Sequence, residues 1–227
     1  MNHSLGKTCA LWTGGKDSCF VLYEALSLGY QITSLITFTP PRPQFRAHPL
    51  HVMEYQAETL QLPHSTVEIT EPFEDGYRLA FQVLKKQFGV SAVITGDIDE
   101  IQGHPNWIRK YAAANDIETV TPLWKRNRSS LLEKLMVNNF NVIFSCVKHP
   151  WFDGDWLGTE LNAGTVDRLH HLNEATGIDI CGENGEYHTI VLDCPLFQQK
   201  ICVEDSSKES NDSLLYLNLR KLSFVNK

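Results

Sequence analysis

No stretch of about 18 consecutive apolar residues occurs in the 227-residue chain, so no segment reads as a transmembrane helix. The opening MNHSLGKTCALW lacks the charged n-region, apolar centre and small-residue cleavage site of a secretory signal, and a cytoplasmic protein is expected. None of the six cysteines (Cys9, Cys19, Cys146, Cys181, Cys194 and Cys202) forms a C-x2-C pair, which argues against structural zinc. Without a secretion signal, reduced thiols are expected rather than disulfides. No two of the nine histidines stand in an H-x3-H arrangement with nearby carboxylates. Positive charge is in short supply: 20 Lys and Arg face 27 Asp and Glu, a net charge of −7. A general nucleic-acid binder carries the opposite balance. There is no internal repeat and no low-complexity tract.

What is present is an ordinary core-forming composition, 42% hydrophobic and 21% charged. The first half alternates short apolar runs with segments of helical spacing. Residues 7–12 (KTCALW), 31–38, 65–69, 91–95 and 119–123 read as strands, and residues 18–28, 50–61, 75–88 and 107–114 as helices. Strand–helix alternation predicts an α/β fold, a Rossmann-like parallel sheet with helices on both faces. The pattern changes near residues 122–128. Residues 129–138 and 162–176 read as helices, and 141–147, 189–192 and 215–219 as strands. A polar segment, 204–212 (EDSSKESND), reads as a mobile loop. The expected division is residues 1–124 and 125–227, the second a smaller α+β domain.

Thr13-Gly14-Gly15-Lys16-Asp17-Ser18 lies between the first strand and the first helix. An open parallel sheet binds ligands at that position, outside the carboxyl ends of its strands. Two glycines admit a phosphate close to the backbone, and a helix N-terminus offers N–H donors. Lys16 adds charge, Thr13 and Ser18 add hydroxyls, and Asp17 caps the helix or approaches Mg2+. A plain strand–turn–helix connection with a normal N-cap is the competing reading. The loop is neither G-x-x-x-x-G-K-[ST] nor G-x-G-x-x-G, which disfavours P-loop NTPase chemistry and a dinucleotide site.

A second constellation is ICGENGEYHTIVLDCPLFQQKICV, residues 180–203. It sets Glu183 and Glu186 three residues apart around Gly185, followed by Tyr187, His188 and Thr189. Two carboxylates on a turn suit Mg2+, ammonium or a cationic substrate group. A solvated hairpin with Asn184-Gly185 at its corner suits the same residues.

The first loop resembles the S-G-G-x-D-S pyrophosphate loop of the ATP pyrophosphatase superfamily, with Thr13 in place of Ser. The second stretch resembles the C-G-E-G-G-E-[YF]-E-T…D-C-P-L-F signature of the diphthine–ammonia ligase family. Cys181, Gly182, Glu183, Gly185, Glu186, Tyr187 and Thr189 match it, then Asp193 to Phe197. His51, Ala57 and Glu58, and the junction from Pro122 to Trp124, also resemble that family. The resemblance thus runs over nearly the whole chain. Departures are Asn184 for a second Gly, His188 for Glu, and Gly96-Asp97-Ile98-Asp99-Glu100 for a more basic run.

The resemblance implies an ATP-binding pyrophosphate-loop domain over residues 1–124 and a substrate-binding domain over 125–227. It implies an ATP-dependent ligase that adenylates a carboxylate, releases pyrophosphate, and lets ammonia displace AMP to form an amide. By that resemblance Thr13, Gly14, Gly15, Lys16, Asp17 and Ser18 hold the pyrophosphate, with adenosine near Phe38, Thr39, Gly96 and Asp97. Asp17 and Asp97 are the implied Mg2+ ligands. Lys16, Asp17, Glu183 and Glu186 are the implied catalytic residues, and Tyr187, His188, Thr189 and Trp124 the implied acceptor residues. Elongation factor 2 carrying diphthine is the implied partner, and a homo-oligomer is compatible with the reading. Trp124, Trp151, Trp156 and Tyr187 offer a candidate aromatic cage for its trimethylammonium group. A net charge of −7 suits a cationic acceptor. The competing functions are a pyrophosphate-loop RNA modifier, with Lys125-Arg126-Asn127-Arg128 as its basic cluster, and a nucleotide binder without turnover. Cys146 and His149 are a weaker candidate nucleophile–base pair.

Overall fold

The computed structural model describes residues 6–100 and 106–227. In chain order the elements are β1 (Lys7–Leu11), α1 (Lys16–Ser27), β2 (Ile32–Thr39), α2 (Leu50–Leu60), β3 (His64–Glu68), α3 (Phe73–Lys86), β4 (Val90–Ile94) and α4 (Trp107–Ala113). They continue with β5 (Glu118–Val120), α5 (Arg128–Val137), β6 (Asn141–Lys148), α6 (Ala163–Thr176), β7 (Tyr187–Asp193), β8 (Gln199–Asn211) and β9 (Leu214–Asn226). Two compact units form. The first comprises Met1–Thr13, Asp17–Gln44 and Gln61–Trp124; the second comprises Gly14–Lys16, Phe45–Leu60 and Lys125–Lys227.

The first unit is a five-stranded sheet of order β3-β2-β1-β4-β5, parallel throughout. β1 and β4 are near-continuous apolar runs, which parallel strands need because helices cover them. Cys9, Ile36, Val67, Phe81, Leu84, Val93 and Ala112 belong to one buried cluster. Truncating Phe81, which is fully buried, to Ala costs about 3–5 kcal/mol at such a site. The strand order reverses at β1, with β2 on one side and β4 on the other. Ligand crevices form at such a reversal. The carboxyl ends of β1 and β4 lead into Thr13 and Gly96. A Cβ on Gly96 would lie 2.8 Å from the Asp17 carbonyl carbon and 3.0 Å from the Ser18 nitrogen. Glycine there lets β4's exit lie against the first turn of α1.

The second unit is a four-stranded antiparallel sheet of order β7-β6-β9-β8. β6 is buried at its six central positions. α5 starts at Asn127, whose side chain accepts the Ser130 N–H at 3.0 Å. α6 starts with a reciprocal Asn162–Thr165 capping box and ends at Gly177, φ 77°. Such caps contribute about 1 kcal/mol each.

The polar segment 204–212 is not a loop. Residues up to Asn211 lie in β8, paired with β9 from Gln199↔Asn226 to Asn211↔Leu214. Its polar composition reflects an exposed ribbon stitched by side chains. Arg220 holds Asp205 through two 2.7 Å hydrogen bonds, and Tyr216 donates to Glu209 at 3.0 Å. The turn falls at Asp212, in the left-handed region at φ 51°.

α2 clusters with the second unit because its polar side chains are spent there. His51 Nε2 lies 2.9 Å from the Leu219 carbonyl, and Tyr55 donates to Leu222 at 3.1 Å. Thr59 Oγ1 donates to the Gln199 carbonyl and accepts its N–H, both at 2.8 Å. Among the described residues, no helix is long and apolar enough to cross a membrane.

Candidate active site

Glycine at position 14 is required by its backbone, which has φ +73°. Its carbonyl accepts the Val191 N–H at 3.1 Å and the Gln56 Nε2 at 2.9 Å. The next glycine, Gly15, is buried. The Lys16 N–H donates to Thr189 Oγ1 at 3.1 Å, so this first-turn donor of α1 is already used. The Lys16 side chain is buried, with Nζ 2.5 Å from the Cys181 carbonyl and 5.4 Å from the centre of the Tyr187 ring. Gly14–Lys16 therefore meets the second constellation directly, inside one unit. On the first unit's side of the loop, Thr13 Oγ1 donates to Ser18 Oγ at 3.2 Å. Asp17 is half-buried at the start of α1, and Ser18 is buried.

The turn around Cys181 is fixed from several directions. Its N–H donates to Asp179 Oδ1 at 2.7 Å, while Asp179 Oδ2 is paired with Arg128 at 3.1 Å. Asp179 holds the Arg128 guanidinium above its ordinary range, although burial acts the other way. Gly182 has φ +77°, and a Cβ there would lie 2.8 Å from the Tyr187 carbonyl oxygen. Its N–H donates to the Asp179 carbonyl at 2.9 Å, and the Gly185 N–H donates to the Gly182 carbonyl at 3.1 Å.

The two carboxylates of this stretch differ. Glu186 is 3% exposed and accepts the Asp179 N–H at 2.8 Å, the Asn184 N–H at 2.9 Å and Asn184 Nδ2 at 3.2 Å. A carboxylate so engaged shapes its own loop. Glu183 is half-buried and contributes to the field at Arg128. The hairpin reading also fails. Asn184-Gly185 is a turn, but no strand precedes it, and β7 pairs with β6.

Tyr187, His188 and Thr189 alternate along β7, as strand geometry requires. Tyr187 and Thr189 meet Lys16, whereas His188 packs edge-on to His48 with ring centres 5.2 Å apart. His48 Nδ1 is sealed from solvent without a hydrogen-bond partner, although the residue as a whole is only half-buried. Desolvation, then His188 and Lys16, hold the His48 imidazole down at about 3. Tyr187 is held by its own unit. It is 2% exposed, donates to the Ile180 carbonyl at 2.7 Å, and packs on Phe144 at 4.9 Å. Trp156 is also core, 5.1 Å from Phe144 and 5.0 Å from Phe152. The aromatic cage therefore loses two of its members to packing.

In the first unit, Phe38 is half-buried against Tyr77 at 5.6 Å, and Thr39 is buried with its carbonyl accepting the Ile69 N–H at 2.7 Å. Asp97 accepts from Thr95 Oγ1 at 3.1 Å and from Asn106 Nδ2 at 3.4 Å. Burial raises its carboxyl above the usual range, against those bonds and the charge of Arg109. Arg109 donates to Thr121 Oγ1 at 3.0 Å and lies 3.8 Å over the Trp124 ring. Trp124 thus carries a cation from its own unit.

Sequence reading missed Gln56, His48, Asp179, Asn106 and Arg109. Gln56 directly precedes Ala57 and Glu58, and Asn106 precedes a helical run as an N-cap does, so both left a faint signal. Arg128, read as part of a basic cluster, is engaged by Asp179. Cys146 is buried and its thiol is pushed up to about 11, which ends its candidacy as a nucleophile.

Two family models match in tandem: the diphthamide synthase N-terminal domain over residues 6–114, and the diphthamide synthase C-terminal domain over residues 127–225. A curated relative, the diphthine–ammonia ligase of Mus musculus, is 28% identical over 97% of this chain and 93% of its own length. The diphthine–ammonia ligase of Schizosaccharomyces pombe is 29% identical over 94% of this chain, which spans 39% of that longer protein. Among solved structures, a predicted subunit of tRNA methyltransferase from Methanocaldococcus jannaschii aligns at 17% identity and TM-score 0.44, over 84% of this chain and 98% of that one.

Proposed function

The chain belongs to the diphthamide synthase family, whose two domains it carries in order, and from that premise we propose that it is an AMP-forming ligase that amidates diphthine with ammonia. A carboxylate is a poor electrophile, so it must be activated. Its oxygen attacks the α-phosphorus of ATP, the bond to the β,γ-pyrophosphate breaks, and an acyl-adenylate forms. Ammonia then attacks the acyl carbon, AMP leaves, and a proton is released from nitrogen. Such chemistry depends on positioning and charge rather than on a protein nucleophile.

The observation that carries the proposal is the Lys16–Cys181 contact, which ties the glycine-rich loop to the second constellation. Gly14 and Gly15 admit the pyrophosphate to the backbone, with Lys16 supplying charge and Thr13 and Ser18 hydroxyls. Adenosine lies toward Phe38, Thr39 and Gly96. Glu183, rather than Glu186, is the carboxylate assigned to ammonium or to the cationic acceptor.

The donors fit Mg2+ held jointly with nucleotide phosphates rather than by an all-protein cage. Among the described residues no group of three or more His, Cys, Asp or Glu side chains could hold a metal. Asp17 and Asp97 are the carboxylates assigned to it, and Mg2+ at nucleotides is held by one or two carboxylates and the phosphates. When bound, it would neutralise charge on the phosphates. The acceptor protein assigned by this reading is elongation factor 2, and the setting is the cytoplasm.

The test is product analysis with ATP, Mg2+, ammonium and diphthine-bearing elongation factor. The reading expects AMP and pyrophosphate in equal amounts, dependent on the acceptor. ATP binding without either product would overturn it.

A further inference from the structure

We infer that Gln56 is a positioning residue for the glycine-rich loop, clamping Gly14 to β7; the inference rests on the reading of that loop as the pyrophosphate site. Gln56 is fully buried on α2. Its Nε2 donates to the Gly14 carbonyl at 2.9 Å and to the Val191 carbonyl at 2.8 Å, so one amide group spans the loop and the strand. Val191 returns its own N–H to the Gly14 carbonyl at 3.1 Å. The fit is reciprocal, because a Cβ on Gly14 would lie 2.2 Å from Gln56 Oε1. Two amide hydrogens aimed at two carbonyls fix where Gly14 turns, and hence where the following backbone and Lys16 sit. No other uncharged side chain of similar size offers two donors from one atom except Asn, which is one methylene shorter.

Thr59 supplies the control. It lies one turn along the same helix, is also buried, and binds the backbone of Gln199 rather than the loop. Gln56→Leu, Thr59→Val and Lys16→Ala are compared with the full-length parent protein for thermal stability and for ATP–Mg2+ affinity by calorimetry. Removal of two buried hydrogen bonds to the loop is expected to weaken ATP binding about tenfold in Gln56→Leu, whereas Thr59→Val loses stability but keeps parental affinity.

A charge series adds a readout that a purely structural role would not give in ATP affinity. Gln56→Glu has one O–H donor when neutral and none when ionised, and burial against two carbonyls raises its titration. Its ATP affinity relative to the parent is expected to fall as pH rises. Normal affinity in Gln56→Leu with loss in Lys16→Ala would overturn the inference and leave the pyrophosphate reading intact. Equal losses in Gln56→Leu and Thr59→Val would overturn it as mere destabilisation. Normal affinity in Lys16→Ala would remove the pyrophosphate reading and the inference with it.

Discussion

Lys16 and Cys181 are 165 positions apart in sequence, yet the lysine ammonium donates to the cysteine carbonyl at 2.5 Å. The contact depends on how the backbone turns after Cys181. Gly182 makes that turn at φ +77°, where a Cβ would meet the Tyr187 carbonyl oxygen at 2.8 Å. Gly182→Ala is therefore expected to lose about 1–3 kcal/mol of stability, from left-handed strain plus a backbone clash. It is also expected to lower kcat/KM, because the Lys16 acceptor moves. Denaturant melts and steady-state AMP release measure both.

Glu183→Gln and Glu186→Gln should separate two jobs that look alike in sequence. Glu186 accepts three N–H donors in its own loop. An amide in its place turns one acceptor into a donor facing donors, at a cost of about 1–3 kcal/mol. The midpoint of unfolding should fall with activity. Glu183→Gln should leave the midpoint unchanged and lower turnover. A stable, inactive Glu186→Gln protein would return that carboxylate to the chemistry.

How much of this was legible beforehand depends on the range of the signal. β1 and β4 announce themselves as apolar runs that both end at turn residues, and Thr13 to Ser18 follows β1 directly. The parallel sheet and the loop therefore follow from local pattern. The β8–β9 ribbon was misread because pairing between Gln199 and Asn226 lets Glu204 to Asn211 stay extended despite a loop-like composition. The loop-holding role of Glu186 is not legible in sequence, which displays its charge but not the Asp179 and Asn184 N–H groups it accepts. Gln56 and His48 were missed because each acquires meaning from partners more than 130 positions away, Val191 for the one and His188 for the other.

His48 gives a pH prediction. Its imidazole sits at about 3 when folded, against 6.5 ordinarily. The unfolded chain then takes up the proton more readily, so stability is complete above 6.5 and declines as pH falls from there toward about 3. Unfolding curves measured above and below 6.5 should show that decline in the parent and a smaller one in His48→Asn.

Asp97 titrates the other way from most carboxylates, its burial raising it above 3.8. The folded state then binds the proton more readily, so ionised Asp97 lowers stability as pH rises through that shifted value. Asp97→Asn is expected to melt a few degrees higher than the parent at neutral pH, with the gap closing in acid, while losing turnover. An unchanged melting temperature with full activity would remove Asp97 from the site.

The most direct test of adenylation follows an oxygen atom. With the acceptor carboxylate labelled with oxygen-18, attack on the α-phosphorus transfers one labelled oxygen to AMP per amide formed. Mass spectrometry of the nucleotide is expected to find that label in AMP, in proportion to product. Unlabelled AMP, or label in pyrophosphate, would contradict the account.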